Sequence, residues 1–186
     1  MATKRLFIAA EPPQHIIDGC RDIIDGLRAA GDGIRWVKPS GIHLTMKFFG
    51  DVDDARIPEI SDAAGIIEGS GAVDLVVKGL GTFPGGGRPR VVWVGIEGDV
   101  ERFVTARDLL DGALSEIGFP PEDRPFRGHL TLGRIKGRPP VALSARLEQS
   151  RNISLGEMRV EGVHLIQSDL KPSGAVYTPL AFYPLT

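Results

Sequence analysis

Two stretches of the chain share a centre built from residues that can do chemistry. Gly41-Ile42-His43-Leu44-Thr45-Met46-Lys47-Phe48-Phe49-Gly50 and Gly128-His129-Leu130-Thr131-Leu132-Gly133 both read His-Leu-Thr-apolar. Threonine is scarce, 7 of 186 residues, so the repetition is not expected from composition. Each motif sits in an apolar run ended by glycine, the signature of a strand. Side chains two apart on a strand share a face, so His43 projects with Thr45 and His129 with Thr131. Ile42, Leu44, Met46 and Phe48 then face the other way, towards a core. One such motif would most simply be a half-buried strand with a hydrogen-bonded histidine; two identical ones ask for a chemical reason.

Imidazole titrates near neutrality, so one histidine can be neutral while its partner is protonated. Displacement at phosphorus needs that pair: a base on the attacking oxygen and an acid on the leaving oxygen, on opposite sides. Thr45 and Thr131, one two-residue step (about 6.6 Å) along each strand, would donate hydrogen bonds to the non-bridging oxygens. A zinc site would call for a third ligand at ligand spacing, and nothing supplies one cleanly. No metal and no cofactor is therefore expected. A nucleophile signal of the Ser-His-Asp or Cys-His kind is also lacking.

A locally basic stretch surrounds the second motif, with no acid between Arg124 and Arg138. Arg134 is the candidate phosphate clamp, although strict alternation puts it with Leu130 and Leu132, away from His129. It reaches the histidine's face only if the strand bulges at Gly133 or ends there. Phe49 shares the His43 face by the same alternation and is the candidate for stacking a base.

The elements that must position these residues follow in order. Arg5–Ala10 reads as a buried strand. A helix over about 13–30 carries Ile16, Ile17, Cys20, Ile23, Ile24 and Leu27 on one stripe. Ile34–Val37 is a short strand before the first motif. Asp53 opens a second helix with Ile57, Ile60, Ala64 and Ile67 inside, and 73–80 is a strand. The Gly-rich loop 82–89 lacks the ending of a phosphate-binding P-loop and leads into a strand, so it reads as a connector. The pattern then restarts with a strand over 91–96 and a helix over 99–118. After the second motif come a helix over about 140–149 and a strand pair, 157–167 and 175–183. Each half reads strand, helix, motif strand, helix, strand, an internal duplication whose motifs would be related by a pseudo-twofold. A single domain of two lobes is expected, about 1–81 plus the C-terminal strand and about 90–170.

With 42% hydrophobic and 25% charged residues the chain is an ordinary globular one, large enough for a proper core. A net charge of −2 gives no overall grip on a polyanion, so any such partner must be held locally. The single Cys20 excludes an intrachain disulfide framework and fits a reducing compartment. No signal-type or membrane-spanning stretch occurs, so a cytoplasmic protein with no membrane partner is expected.

The repeated motif resembles the two-histidine phosphoesterase superfamily and, within it, the bacterial and archaeal RNA 2′,3′-cyclic phosphodiesterases first described as 2′-5′ RNA ligases. The likeness extends to Arg5-Leu6-Phe7-Ile8-Ala9, Trp36-Val37, Phe83-Pro84, Arg90-Val91-Val92-Trp93, His129 to Arg134, and Ser168, Leu170 and Tyr177. Gly128 departs from it, standing where proline usually precedes the second histidine. The resemblance implies an α+β, bilobal fold, with two pseudo-twofold-related antiparallel sheets lining a central cleft and helices outside. It implies hydrolysis of RNA with 2′,3′-cyclic phosphate termini to 2′-phosphomonoesters by a monomer, with His43 as proton donor and His129 as proton acceptor. The residues themselves leave those two roles interchangeable. They also leave open reversible 2′-5′ ligation, a small cyclic nucleotide or 2′-5′ oligonucleotide as substrate, and a non-catalytic RNA-binding module.

Overall fold

The structure is a computed structural model that describes residues 2–85, 87–172 and 174–186. Its strands are β1 (Thr3–Ala10), β2 (Ile34–Trp36), β3 (Leu44–Asp53), β4 (Val73–Phe83), β5 (Val91–Gly98), β6 (His129–Ile135), β7 (Ser154–Val160), β8 (Gly162–Lys171) and β9 (Gly174–Pro184). Its helices are α1 (Gln14–Arg28), α2 (Ile57–Ala64), α3 (Val100–Glu116) and α4 (Leu143–Gln149).

All strand pairs are antiparallel, in the order β7-β4-β5-β6-β3-β1-β8-β9, with β2 added to β6. This is the expected α+β architecture: two four-stranded arrays, each with a motif strand on its inner edge. The bridge Leu44↔Leu130 joins them into one strongly curled sheet.

The repeats interlock in space. β4, from the first half of the sequence, pairs with β5 and β7 of the second, and β8 returns to pair with β1 and β9. The 82–89 loop therefore closes a hairpin inside one array. The single strand expected over 157–167 is two strands that break at Glu161, β7 going to one array and β8 to the other. At Gly162, where β8 begins, a Cβ would lie 2.3 Å from the Phe182 ring. The helices cross as well: α1 packs against β6, β7 and α4, while α3 packs against α2, β3 and β4.

One face of the sheet is buried under these helices. Leu44, Met46, Leu130 and Leu132 meet Ile16, Cys20, Phe103, Leu110 and Leu114 there. Burying such side chains is worth roughly 1.5–3 kcal/mol each, which fixes the register of both motif strands. The opposite face carries only a small cluster, Phe7, Ala9 and Ile166 with Tyr177 against it.

Strand β3 breaks alternation twice. Ala9 pairs with Thr45 but Ile8 with Lys47, leaving Met46 as an extra residue; Phe7 pairs with Phe48 but Leu6 with Gly50, leaving Phe49 extra. Each bulge turns the following side chains over. Lys47 consequently points into the core, 2.7 Å from Asp111 Oδ1 and 2.6 Å from the Pro120 carbonyl. Arg107 donates to the Met46 carbonyl at 3.1 Å and lies 3.3 Å from Asp111 Oδ2, an ion pair whose angle misses a hydrogen bond. Buried charges of this kind persist only when paired.

Candidate active site

The bridge at Leu44 and Leu130 is the centre of the site. Continuing its antiparallel register by one residue sets His43 opposite Thr131 and Thr45 opposite His129. Each motif's hydroxyl therefore stands across from the other motif's imidazole, the arrangement a local twofold generates. All four side chains are half-buried.

His43 is held by an excursion of the chain. β2 runs along β6 at Gly133–Ile135, and Val37 N donates to the Leu132 carbonyl at 2.8 Å. The chain then leaves β6 through a 3₁₀ turn, Pro39–Gly41, and returns at Leu44. That turn packs on β9, so close that a Cβ on Gly41 would lie 3.1 Å from the Tyr177 ring. The His43 ring stacks on Phe7 at 4.6 Å and meets Tyr177 edge-on at 5.5 Å. His129 has a matching enclosure, with Phe83 edge-on at 5.0 Å and Trp93 tilted at 6.5 Å.

The residue before His129, Gly128, packs closely against Ile96. A Cβ at Gly128 would lie 2.2 Å from Cδ1 of Ile96, so the Ile96 side chain occupies the room a larger residue would need. The His129 ring is oriented by Nδ1, 2.7 Å from the Arg127 carbonyl. A carbonyl only accepts, so Nδ1 carries the proton and the Nε2 lone pair is free.

Arg134 lies on the face of the histidines. Trp93 pairs with Thr131 but Val92 with Gly133, which leaves Leu132 as an extra residue. The bulge falls one residue earlier than Gly133, and it restores Arg134 to the His129 and Thr131 face. The electrostatics agree. His43 is pushed down to about 4 by burial first, then by the charges of Arg134 and His129. His129 is also lowered, by burial and Arg134, against an opposing upward pull from its bond to Arg127. Burial raises the Tyr177 hydroxyl, and Arg134 pulls it back. One guanidinium thus acts on three groups drawn from both arrays.

Phe49 is not on this face. As the extra residue of the second bulge it packs into the helix-covered core, edge-on to Phe119 at 5.3 Å. Phe48, expected inside, is 45% exposed and lies opposite Phe7. Alternation counted along the sequence exchanges these two residues because a bulge leaves no mark in composition. Of the enclosing aromatics, Phe7 and Trp93 lie in uniformly apolar runs, where periodicity does not say which face a ring takes, and Phe83 and Tyr177 lie next to Thr82 and Thr178 in stretches too mixed to show a period. Among the described residues no group of three His, Cys, Asp or Glu side chains is arranged to hold a metal ion.

Comparison with known proteins fits this geometry. The family model described as LigT like Phosphoesterase matches the chain twice, over residues 10–93 and 94–177, one motif in each match. The chain belongs to that family. It is 34% identical to the RNA 2′,3′-cyclic phosphodiesterase of Methanothermobacter thermautotrophicus, over 97% of this chain and 98% of that one. A crystal structure of a Thermus thermophilus protein superposes with a TM-score of 0.82 at 29% identity, covering 97% of each chain. E. coli LigT complexed with 3′-AMP superposes with a TM-score of 0.76 at 25% identity, covering 100% of this chain and 99% of that one. No helix of the described residues is long and apolar enough to cross a membrane.

Proposed function

We propose that this protein hydrolyses the 2′,3′-cyclic phosphate at RNA termini to a 2′-phosphomonoester. The observation that carries the reading is the Leu44–Leu130 bridge, which sets each motif's imidazole opposite the other motif's hydroxyl. The activity named for the archaeal relative supports it. In this reading His129 Nε2 takes a proton from water, and the water oxygen attacks phosphorus. The P–O3′ bond breaks as His43 gives its proton to the departing 3′-oxygen. The product keeps the phosphate on O2′. Thr45 and Thr131 donate hydrogen bonds to the non-bridging oxygens, and Arg134 stabilises the charge that builds on them. His129 suits the base because its Nδ1–H is already committed to a carbonyl. 2′-5′ ligation would use the same groups: a 5′-hydroxyl in place of water gives its proton to His129 and attacks phosphorus, the P–O3′ bond breaks, and His43 protonates O3′.

The reading includes a metal-independent, cytoplasmic monomer, one domain of two duplicated lobes. Cys20 is buried and free, and burial pushes its thiol up to about 12, as suits an inert core thiol in a reducing compartment. Incubation with an oligoribonucleotide ending in a 2′,3′-cyclic phosphate, in excess EDTA, is expected to give only a 2′-phosphate end at an undiminished rate. A 3′-phosphate product would reverse the two histidine roles. Loss of rate in EDTA would overturn metal independence. Tight RNA binding without turnover would make the protein a binding module.

A further inference from the structure

We infer that Arg5 and Phe48 form a subsite for the nucleotide that precedes the reacting terminal one, making this an enzyme for RNA chains more than for free cyclic nucleotides. The inference rests on the reaction proposed above. Phe48 is 45% exposed on a strand whose neighbours Met46 and Lys47 are buried. The bulges of β3 put it on the cleft face, opposite the Phe7 ring on which His43 stacks. An open aromatic ring on the face that carries the histidines offers a surface on which a base can stack.

Arg5 completes the pair. Its guanidinium lies 5.4 Å from the Phe48 ring centroid. Among the described residues it joins no ion pair. A ring with a guanidinium over it, and no carboxylate paired with that cation, supplies the groups that stack a splayed base and meet its phosphate. At the strand rise, Phe48 lies roughly 10 Å from Thr45. That is too far for the reacting phosphorus and close to one nucleotide's length from it. The other array offers no equivalent, since Phe83 and Trp93 both pack against His129. The RNA chain is therefore led out over β3 and β1.

The test compares a mononucleoside 2′,3′-cyclic phosphate with a short oligoribonucleotide bearing the same terminus. Phe48→Ala and Arg5→Ala are each expected to raise KM for the oligonucleotide about tenfold, the usual effect of one lost base stack. kcat, and both constants for the mononucleotide, stay at wild-type values. Phe48→Tyr restores the oligonucleotide KM, whereas Arg5→Lys does not, because an ammonium keeps the charge and loses the plane. An unchanged oligonucleotide KM in Phe48→Ala, or equal losses on both substrates, would overturn the subsite while leaving the reaction intact. If the wild-type protein turns over neither substrate, the reaction assignment fails. The subsite is then judged by fluorescence anisotropy of a labelled 2′-phosphate-ended oligonucleotide. Phe48→Ala should weaken that binding about tenfold, and unchanged binding removes the subsite.

Discussion

His43 carries an apparent contradiction that its surroundings resolve. In its proposed role as proton donor it has to be protonated, yet burial, Arg134 and His129 bring this imidazole down to about 4. The missing partner is the substrate's phosphate. Its negative charge, set between His43 and Arg134, cancels the arginine's influence and favours imidazolium. In the proposed reaction the donor is thus charged by the molecule it acts on. NMR titration of the His43 ring is expected to give a value near 4 without ligand and a clearly higher one with a 2′-phosphonucleotide bound. By linkage, that ligand then binds more tightly as pH falls from about 7 towards about 5. An unmoved titration would detach His43 from the phosphate. The same depression fixes a stability trend. The unfolded chain takes up the proton first, so the ligand-free protein loses stability as pH falls from about 6.5 to about 4.

At the scale of elements, the bulges of β3 and β6 decide what the site contains. The bulge at Met46 sends Lys47 into the core, where Asp111 and the Pro120 carbonyl receive it. Lys47 and Arg107 therefore tie β3 to α3 and to the connector that leads on to His129. Lys47→Ala strands Asp111 on one side and is expected to cost about 3 kcal/mol. For a chain of this size that is a fall of roughly 10 °C in Tm, measurable by circular dichroism. A Tm within a degree or two of wild type would mean that α3 does not hold the strand. These bulges also mark the limit of what the sequence discloses. The His-Leu-Thr repeat exposed His43, Thr45, His129 and Thr131 because a two-residue period survives over three residues. Over six residues it does not: Phe48 and Phe49 change places, and Arg134 joins the histidines only through the extra Leu132. Backbone hydrogen bonding decides such insertions, and the residue types on either side do not announce them.

Across the whole molecule, the two halves that the family model matches cannot be pulled apart at the boundary between them. β4 and β8 lie in arrays opposite to their places in the repeat, and α1 and α3 pack across the joint. The order of elements was readable from hydrophobic period and glycine punctuation, but this exchange was not, because adjacent strands compete for partners by tertiary packing. The result is functional: one histidine comes from each motif strand, and the bridge at Leu44 and Leu130 brings the two strands together. Central to the account is that both imidazoles act on one phosphorus. The most direct measurement is the initial rate of cyclic-phosphate opening by purified His43→Ala and His129→Ala, each checked to be folded. Each is expected to lose about 10²–10⁴-fold in kcat, as removal of an acid or a base does, while still binding a 2′-phosphate-ended oligonucleotide. A wild-type rate in either variant would contradict it.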